Sequence, residues 1–380
     1  MNDRITGKMN EGLSSAVFPG AVLLIAHHGS IRFHKAFGFA EIRPKRIETR
    51  LDTLFDLASL TKPLATAAAC AELLKRHVLK LENPVANYLP GFNTDGKREI
   101  TLFHLLNHSA GLPDWKPYNK DIAQRETREH GFLGSPEAKA AVYRMAQQEP
   151  LIAAPGEKSL YSDIGFILLG AVIEHATGLS LDQFCDETLF SRFETDTAFF
   201  IPTNNPDPNL FDRTIAATED LPWRKGIVRG IVHDDNAYAM GGVAGHAGLF
   251  STATGVYRLV RAWLDSLEGS GPLDRETARR FVTRQEGEHA PKKSSWGLGW
   301  DTPSRPKQPG NESRSSAGRY FSLASFGHLG YTGTSIWVDR QEDLVVILLT
   351  NRVHPSHENK QIQSFRPALH DIIFEAFVGG

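Results

Sequence analysis

The sequence predicts an α+β fold: one antiparallel sheet built from both ends of the chain, flanked by helices, with a helical subdomain inserted between its halves. Three observations carry that expectation. Residues 20–42 read as a β-hairpin, GAVLLIA and IRFHKAFGFAEI around the turn candidate His27-His28-Gly29-Ser30. Residues 335–350 read as a second one, SIWVD and LVVILLT separated by Arg340-Gln-Glu-Asp343. Between the two, the apolar period becomes helical.

Taken in order, the first helix is expected from Leu60 to about Lys80, where Ala, Leu and Lys dominate and Leu74 and Val78 fall four apart on one face. Further helices are expected at 101–108, 136–148, 163–176, 180–188 and 253–268. The one at 180 opens with Ser180 and Gln183, a capping-box spacing. The stretch 301–319 is rich in Pro, Ser, Gly and charge and reads as a long surface loop. A last helix, Pro367 to Phe377, closes the chain. No repeat of fixed period is found.

Composition narrows the function classes. The chain has 380 residues, 41% of them hydrophobic, and 42 Lys+Arg against 44 Asp+Glu, so no electrostatic footprint for nucleic acid exists. The longest nearly unbroken apolar stretch, Ile164 to Ile173, stops at Glu174, short of the ~20 residues a membrane span needs. The first ten residues lack the apolar core of a secretory signal, and a cytoplasmic location is expected. The two cysteines, Cys70 and Cys185, lie among apolar and helix-forming residues and read as small buried hydrophobes. The glycine-rich MGGVAGHAGLF (240–250) has neither GxGxxG spacing nor the Gly-Lys-Ser/Thr of a phosphate loop, and no cofactor is expected.

Three short motifs can carry chemistry. The first is Ser59-Leu60-Thr61-Lys62, at the expected helix start. Positions three apart share a helix face, so Lys62 brings its amine beside the Ser59 hydroxyl. A serine hydroxyl needs a base to become a nucleophile. Lysine serves as one only with a lowered pKa, from desolvation or from the positive potential of a helix N-terminus. The same helix end leaves the Ser59 backbone N–H to stabilise an oxyanion. The competing reading makes Ser59 an N-cap worth ~1 kcal/mol, with Pro63 marking the helix start. A second copy of the spacing, Ser304-Arg-Pro-Lys307, falls in the Pro-rich loop, where nothing fixes the two side chains.

The second motif is Tyr161-Ser162-Asp163, before the helical IGFILLGAVIEHATG. A tyrosine held near a lysine amine can relay protons between nucleophile and leaving group. Ser162 and Asp163 also suit helix N-capping. The third is His328-Leu329-Gly330, followed by Tyr331 and the strand IWVD. Glycine beside a strand lets substrate approach the backbone and its N–H groups. The bland alternative is a β-turn with a surface histidine.

In that order the motifs resemble the serine β-lactamase and penicillin-binding-protein superfamily, with its Ser-x-x-Lys, Tyr-x-Asn and Lys-Thr-Gly. The likeness is closest to class C β-lactamases and related carboxylesterases and D-stereospecific peptidases. It extends over FDLASLTK (55–62), ITLFHLLNHSAGLP (100–113), VHDDNAYAMGGVAGHAGLFST (232–252), FGHLGYTGTSIWVD (326–339) and LLTNRVHP (348–355). The last three also resemble a subgroup with N-acetylmuramoyl-L-alanine amidases. The resemblance implies a β-lactamase/transpeptidase-like fold in which Ser59 is acylated, Lys62 and Tyr161 share the proton, and water releases the acyl group. It implies an oxyanion hole of the Ser59 and Tyr331 N–H groups, with Gly330 beside it. His328 would stand where the family's lysine stands and hydrogen-bond toward Tyr161 or substrate. Asp163 would replace the family's asparagine.

Both replacements weaken binding of a penicillin carboxylate, so ester or amide hydrolysis ranks above β-lactam hydrolysis. A muramoyl-L-alanine amidase or D-peptidase is the alternative, and a non-catalytic peptidoglycan or penicillin binder a further one. A zinc hydrolase is disfavoured because His104 and His108 lack an intervening glutamate, and both read as packing and hydrogen-bonding residues. No Gly-x-Ser-x-Gly supports an α/β-hydrolase. The expected partner is a small ester, amide or peptide. Length alone suggests two or three domains. The distance between Ser59 and His328 in sequence implies instead one catalytic unit, with a sheet lobe (1–58 and 290–380) and a helical lobe (59–289). The loop 301–326 and residues 114–135 are expected to border the site.

Overall fold

The computed structural model describes residues 2–379 apart from 94–95, 194, 196, 205, 288–289 and 305–314. Its main sheet is six-stranded and antiparallel, in the order Ile47–Glu48, Ser30–Glu41, Gly20–His27, Leu344–Thr350, Ser335–Asp339 and Phe326–Leu329. The two ends of the chain meet at its centre, where Ala21 lies opposite Thr350 and His27 opposite Leu344. Both hairpins fall as the sequence reading had them. The first closes on His28 and Gly29, both at positive φ (51° and 69°), the geometry of a two-residue hairpin turn.

The run LVVILLT is apolar throughout because both sheet faces are covered. Val345, Ile347 and Leu349 join the core shared with the helical region. Leu344, Val346 and Leu348 join a second core, with Ile5 and Met9 of the helix Asn2–Ser14 and Phe365 and Leu369 of the helix Ile362–Phe377. Burying a side chain of this size stabilises by ~1.5–3 kcal/mol. The continuous sheet therefore joins the two cores energetically.

The helices at Pro136–Gln148, Asp163–Thr177 and Ala253–Glu268 match their expected spans. Leu102–Leu106 is shorter than expected and opens with a Thr101/His104 capping box. The segment from 180 is helical at Leu181–Cys185 and continues as a π-turn, Asp186–Phe190. Two boundaries need correction. The helix after Ser59 ends at Lys75, not Lys80, and Val78 is exposed, because helical propensity alone does not mark the turn at Arg76–His77, where His77 has φ 58°. The final helix starts at Ile362 with Pro367 inside it, so that proline is not a start signal. The helix Asn2–Ser14 was not expected. Of the loop 301–319, residues 305–314, and with them Lys307, lie outside the described residues; Ser304 is exposed.

Among the described residues no single helix is long and apolar enough to cross a membrane. Both cysteines are buried and free. The stretch 240–250 owes its glycines to packing: a Cβ on Gly245 would overlap the Phe166 carbonyl, and Gly245 O accepts the Thr66 hydroxyl at 2.6 Å. This close approach brings the Ser59 helix, the 240–250 segment and the helix Asp163–Thr177 together.

Candidate active site

Ser59 lies inside a 3₁₀ turn, Ala58–Leu60, that follows the short strand Phe55–Asp56 and runs into a π-turn, Lys62–Ala67, before the α-helix Ala68–Lys75. Its side chain does not cap the helix; Leu57 occupies the N-cap position. Ala58, just before it, has φ 48°, a left-handed conformation unfavourable for a residue with a Cβ. Buried Asp56 holds that turn: Oδ1 accepts the Ala58 N–H at 2.8 Å and Oδ2 the His233 N–H at 2.6 Å. Thr332 donates to the Asp56 carbonyl at 2.8 Å and Thr334 to the Leu57 carbonyl at 3.1 Å. Gly330 sits so close that a Cβ would overlap Thr334 Oγ1 and the Leu57 carbonyl. The His-Leu-Gly turn and the serine turn are thereby clamped together, 269 residues apart in the chain (328 − 59).

Lys62 is fully buried. Its Nζ donates to Ser59 Oγ at 3.0 Å and to the His246 carbonyl at 3.1 Å, and stands 2.6 Å from Asp163 Oδ1. Three partners match the three donors of an ammonium. Burial works to lower its pKa, but Asp163 and then Tyr161 outweigh burial and hold Lys62 above the ordinary lysine value. The lowered value that a lysine base requires is therefore not found: the resting side chain is a cation. Ser162, not Asp163, is the cap of the helix Asp163–Thr177, accepting the Gly165 N–H at 3.1 Å. That leaves the Asp163 carboxylate free to face Lys62.

The Tyr161 ring lies 4.9 Å from Lys62 Nζ. Burial raises the phenol's pKa, and the Lys62 ammonium pulls it back in part. Behind it, His108 and Trp296 pack against the ring at centroid distances of 4.7 and 5.5 Å. His108 Nδ1 accepts the Ser162 N–H at 3.1 Å, which puts its proton on Nε2. Ser162 and His108 thus fix the backbone beside Tyr161.

His328 is buried and not a surface turn residue. Its Nδ1 donates to the Leu329 carbonyl at 2.8 Å, not toward Tyr161, whose ring centre is 6.1 Å away. Burial, reinforced by Lys62, pushes the imidazole down to about 3, so it is neutral and keeps a lone pair on Nε2.

Ser59, Tyr161, Asp163 and Tyr331 line one cleft of about 490 Å³, with Trp115 from the 114–135 segment at its edge. The Tyr331 ring stacks on His233, centroids 5.7 Å apart. The structure therefore brings Ser59, Lys62, Tyr161, Asp163, Gly330 and Tyr331 together, with His328 buried at their margin. Sequence reasoning missed Asp56, Glu219, His233, Asp234, His246 and His357. His233, Asp234 and His246 fall in the quoted stretch 232–252, but nothing local says that His246 meets Asp234 at 2.8 Å.

Comparison with known proteins identifies the family. The family model described as Beta-lactamase matches residues 3–365. A protein of Escherichia coli (strain K12) named "Putative D-alanyl-D-alanine carboxypeptidase" is 31% identical over 366 residues, covering 89% of this chain and 79% of the relative. Among solved structures, EstCE1, a hydrolase with promiscuous acyltransferase activity, superimposes with a TM-score of 0.71 at 22% identity, covering 96% of this chain and 98% of that one. The LovD6 mutant of simvastatin synthase (LovD) from Aspergillus terreus gives a TM-score of 0.73 at 18% identity, covering 99% and 97%. These two likenesses are of fold.

Proposed function

The chain belongs to the Beta-lactamase family and is a serine hydrolase, and from that premise we propose that it cleaves small esters or amides through an acyl-enzyme on Ser59. The observation that carries this reading is the Ser59–Lys62–Tyr161–Asp163 cluster, in which a buried ammonium is hydrogen-bonded to the serine hydroxyl at 3.0 Å and paired with a carboxylate at 2.6 Å. With Lys62 held cationic and Tyr161 held as a neutral phenol, the proton moves in concert. As Ser59 Oγ forms its bond to the substrate carbonyl carbon, its proton passes to Tyr161 Oη and the phenol's own proton passes to the leaving group. The Lys62 ammonium stabilises the negative charge that develops on Oη and Oγ, and Asp163 holds the ammonium in place. The tetrahedral oxyanion is received by the Ser59 and Tyr331 N–H groups. Water then retraces the path: it attacks the acyl carbon and passes a proton to Tyr161 as the phenol's own proton returns to Ser59 Oγ, which leaves with the acyl group released as the acid.

Binding without turnover has no use for this cluster, since Lys62 and Tyr161 do nothing chemical in a pure binder. D-peptidase activity is a second reading, favoured by the name of the Escherichia coli relative. The two lobes act as one catalytic unit in this reading, because Ser59 and Gly330 come from different ones. Hydrolysis of short-chain nitrophenyl esters tests the assignment. Ser59→Ala should lose at least ~10³-fold in kcat, while Ser304→Ala stays within a few-fold. Equal loss from both would show that the wrong serine is assigned.

A further inference from the structure

Part of the cleft wall has no role in the chemistry above. The Glu219 carboxylate accepts the His233 Nε2–H at 2.9 Å and pairs on its other oxygen with His357 Nδ1. Burial works to raise its pKa, but the hydrogen bonds from the two imidazoles prevail and bring it down to about 2, so it is an anion and can only accept. A neutral imidazole that donates through one nitrogen keeps a lone pair on the other. In the neutral form, His233 offers an acceptor at Nδ1 and His357 one at Nε2. His246 repeats the pattern: Nε2 is bound to Asp234 at 2.8 Å, and its buried Nδ1 has no partner among the described residues.

Among the described residues that line the cleft there is no Lys or Arg. Those bonded to its members already have partners. Lys62 is matched as described; Arg224 is held by Asp235 at 2.5 Å and by the Val232 carbonyl. Arg352 spends its donors on the carbonyls of Tyr331, His357 and Asn359. Among the described residues no three His, Cys, Asp or Glu side chains converge as metal ligands. Four carboxylate side chains among the described residues, Asp163, Glu219, Asp234 and Asp235, line the cleft.

We propose that Glu219, His233 and His357 form a subsite for a primary ammonium carried by the substrate, and that a substrate carboxylate is refused there. This rests on the serine-hydrolase reading and sharpens it. An ammonium brings three donors and a positive charge to a wall that holds the Glu219 anion, and charge-assisted bonds of that type are the strong ones. A terminal carboxylate, such as that of a D-alanyl dipeptide, would meet Glu219 with no Lys or Arg in the cleft lining to receive it, at a like-charge cost.

The test is a set of nitrophenyl esters of matched length, heptanoate, 6-aminohexanoate and the adipate monoester, compared by kcat/KM at pH 7.5 and low salt. The expected order is amine above neutral above carboxylate, with at least ten-fold between the ends. D- and L-alanine nitrophenyl esters, free and N-acetylated, separate an α-ammonium from a side-chain one. In Glu219→Gln the amine-to-neutral ratio should fall at least five-fold; a ratio taken within one preparation cancels any loss of folded enzyme. Equal rates for the three wild-type esters, a preference for adipate, or an unchanged ratio in Glu219→Gln would overturn the subsite and leave the hydrolase reading standing. No turnover of any ester, together with no labelling of Ser59 by a fluorophosphonate, would overturn both.

Discussion

Asp163→Asn keeps the shape of the side chain and removes its charge, which isolates what the carboxylate does for Lys62. At 2.6 Å the pair attracts by ~6 kcal/mol at an effective dielectric of 20, before the cost of burial is subtracted. Removing one partner of a buried pair typically costs ~3–5 kcal/mol, because the other charge is left uncompensated. The variant should therefore lose about that much stability in urea unfolding at pH 7.5. The sign with pH is fixed by the direction of the shift. Lys62 has a folded pKa above its ordinary value of 10.5, so the pair's contribution is fully present below that value and is lost as pH rises through the raised one. The gap between wild type and Asp163→Asn should be full from pH 7 to 9 and close above about 10.5. Catalysis gives an independent arm. If the ammonium form is the working one, the variant's kcat falls and its basic limb moves to lower pH. A gap under ~1 kcal/mol at pH 7.5, a gap that widens with pH, or a kcat that rises at pH 7.5 as a neutral lysine base becomes available would refute the reasoning.

Other consequences follow from the same geometry. Gly330→Ala forces a Cβ into Thr334 Oγ1 and the Leu57 carbonyl, so turnover should drop at least ~100-fold, with ~1–3 kcal/mol of stability lost; unchanged kcat with normal folding would sink the clamp. His328 and His370 are buried and pushed down to about 3 by burial first, so each must take up a proton on unfolding below the ordinary value of 6.5. Stability should fall with falling pH between 6.5 and 3 by up to ~1.4 kcal/mol per unit for each, and His370→Gln should flatten the urea-midpoint profile. Finally, fluorescence and far-UV circular dichroism should report one coincident unfolding transition, because the central strands feed both cores; two separated transitions would show lobes that fold independently.

What the sequence made readable was governed by local rules. The hairpins at 20–41 and 335–350 announce themselves through alternation and turn residues, and the helices at 136–148 and 253–268 through their period. That Ser59, Lys62 and Tyr161 lie together was anticipated because the spacing and order of their motifs are legible in the sequence. Asp163 was seen but left between capping and function; only the hydrogen bond of Ser162 to Gly165 shows which neighbour caps and which is released toward Lys62. The lysine's charge state was not readable at all, since it depends on burial and on a carboxylate about a hundred residues away. Glu219, 138 residues before His357 and 14 before His233, carries no local signal of either partner. The misplaced start of the last helix has a simpler cause: Pro367 lies one turn inside Ile362–Phe377, where packing of Phe365 and Leu369 outweighs the cost of proline.

The central claim is that Ser59 is the nucleophile and that its reactivity depends on the Tyr161 phenol and the Lys62 ammonium. The most direct measurement is intact-mass and peptide-mapping analysis after incubation with a fluorophosphonate, on wild type, Ser59→Ala and Tyr161→Phe. One adduct confined to the peptide bearing Ser59, absent in Ser59→Ala and formed at least ~100-fold more slowly in Tyr161→Phe, is the predicted result. An adduct on another residue, or labelling of Ser59 at an undiminished rate without the Tyr161 hydroxyl, would contradict it.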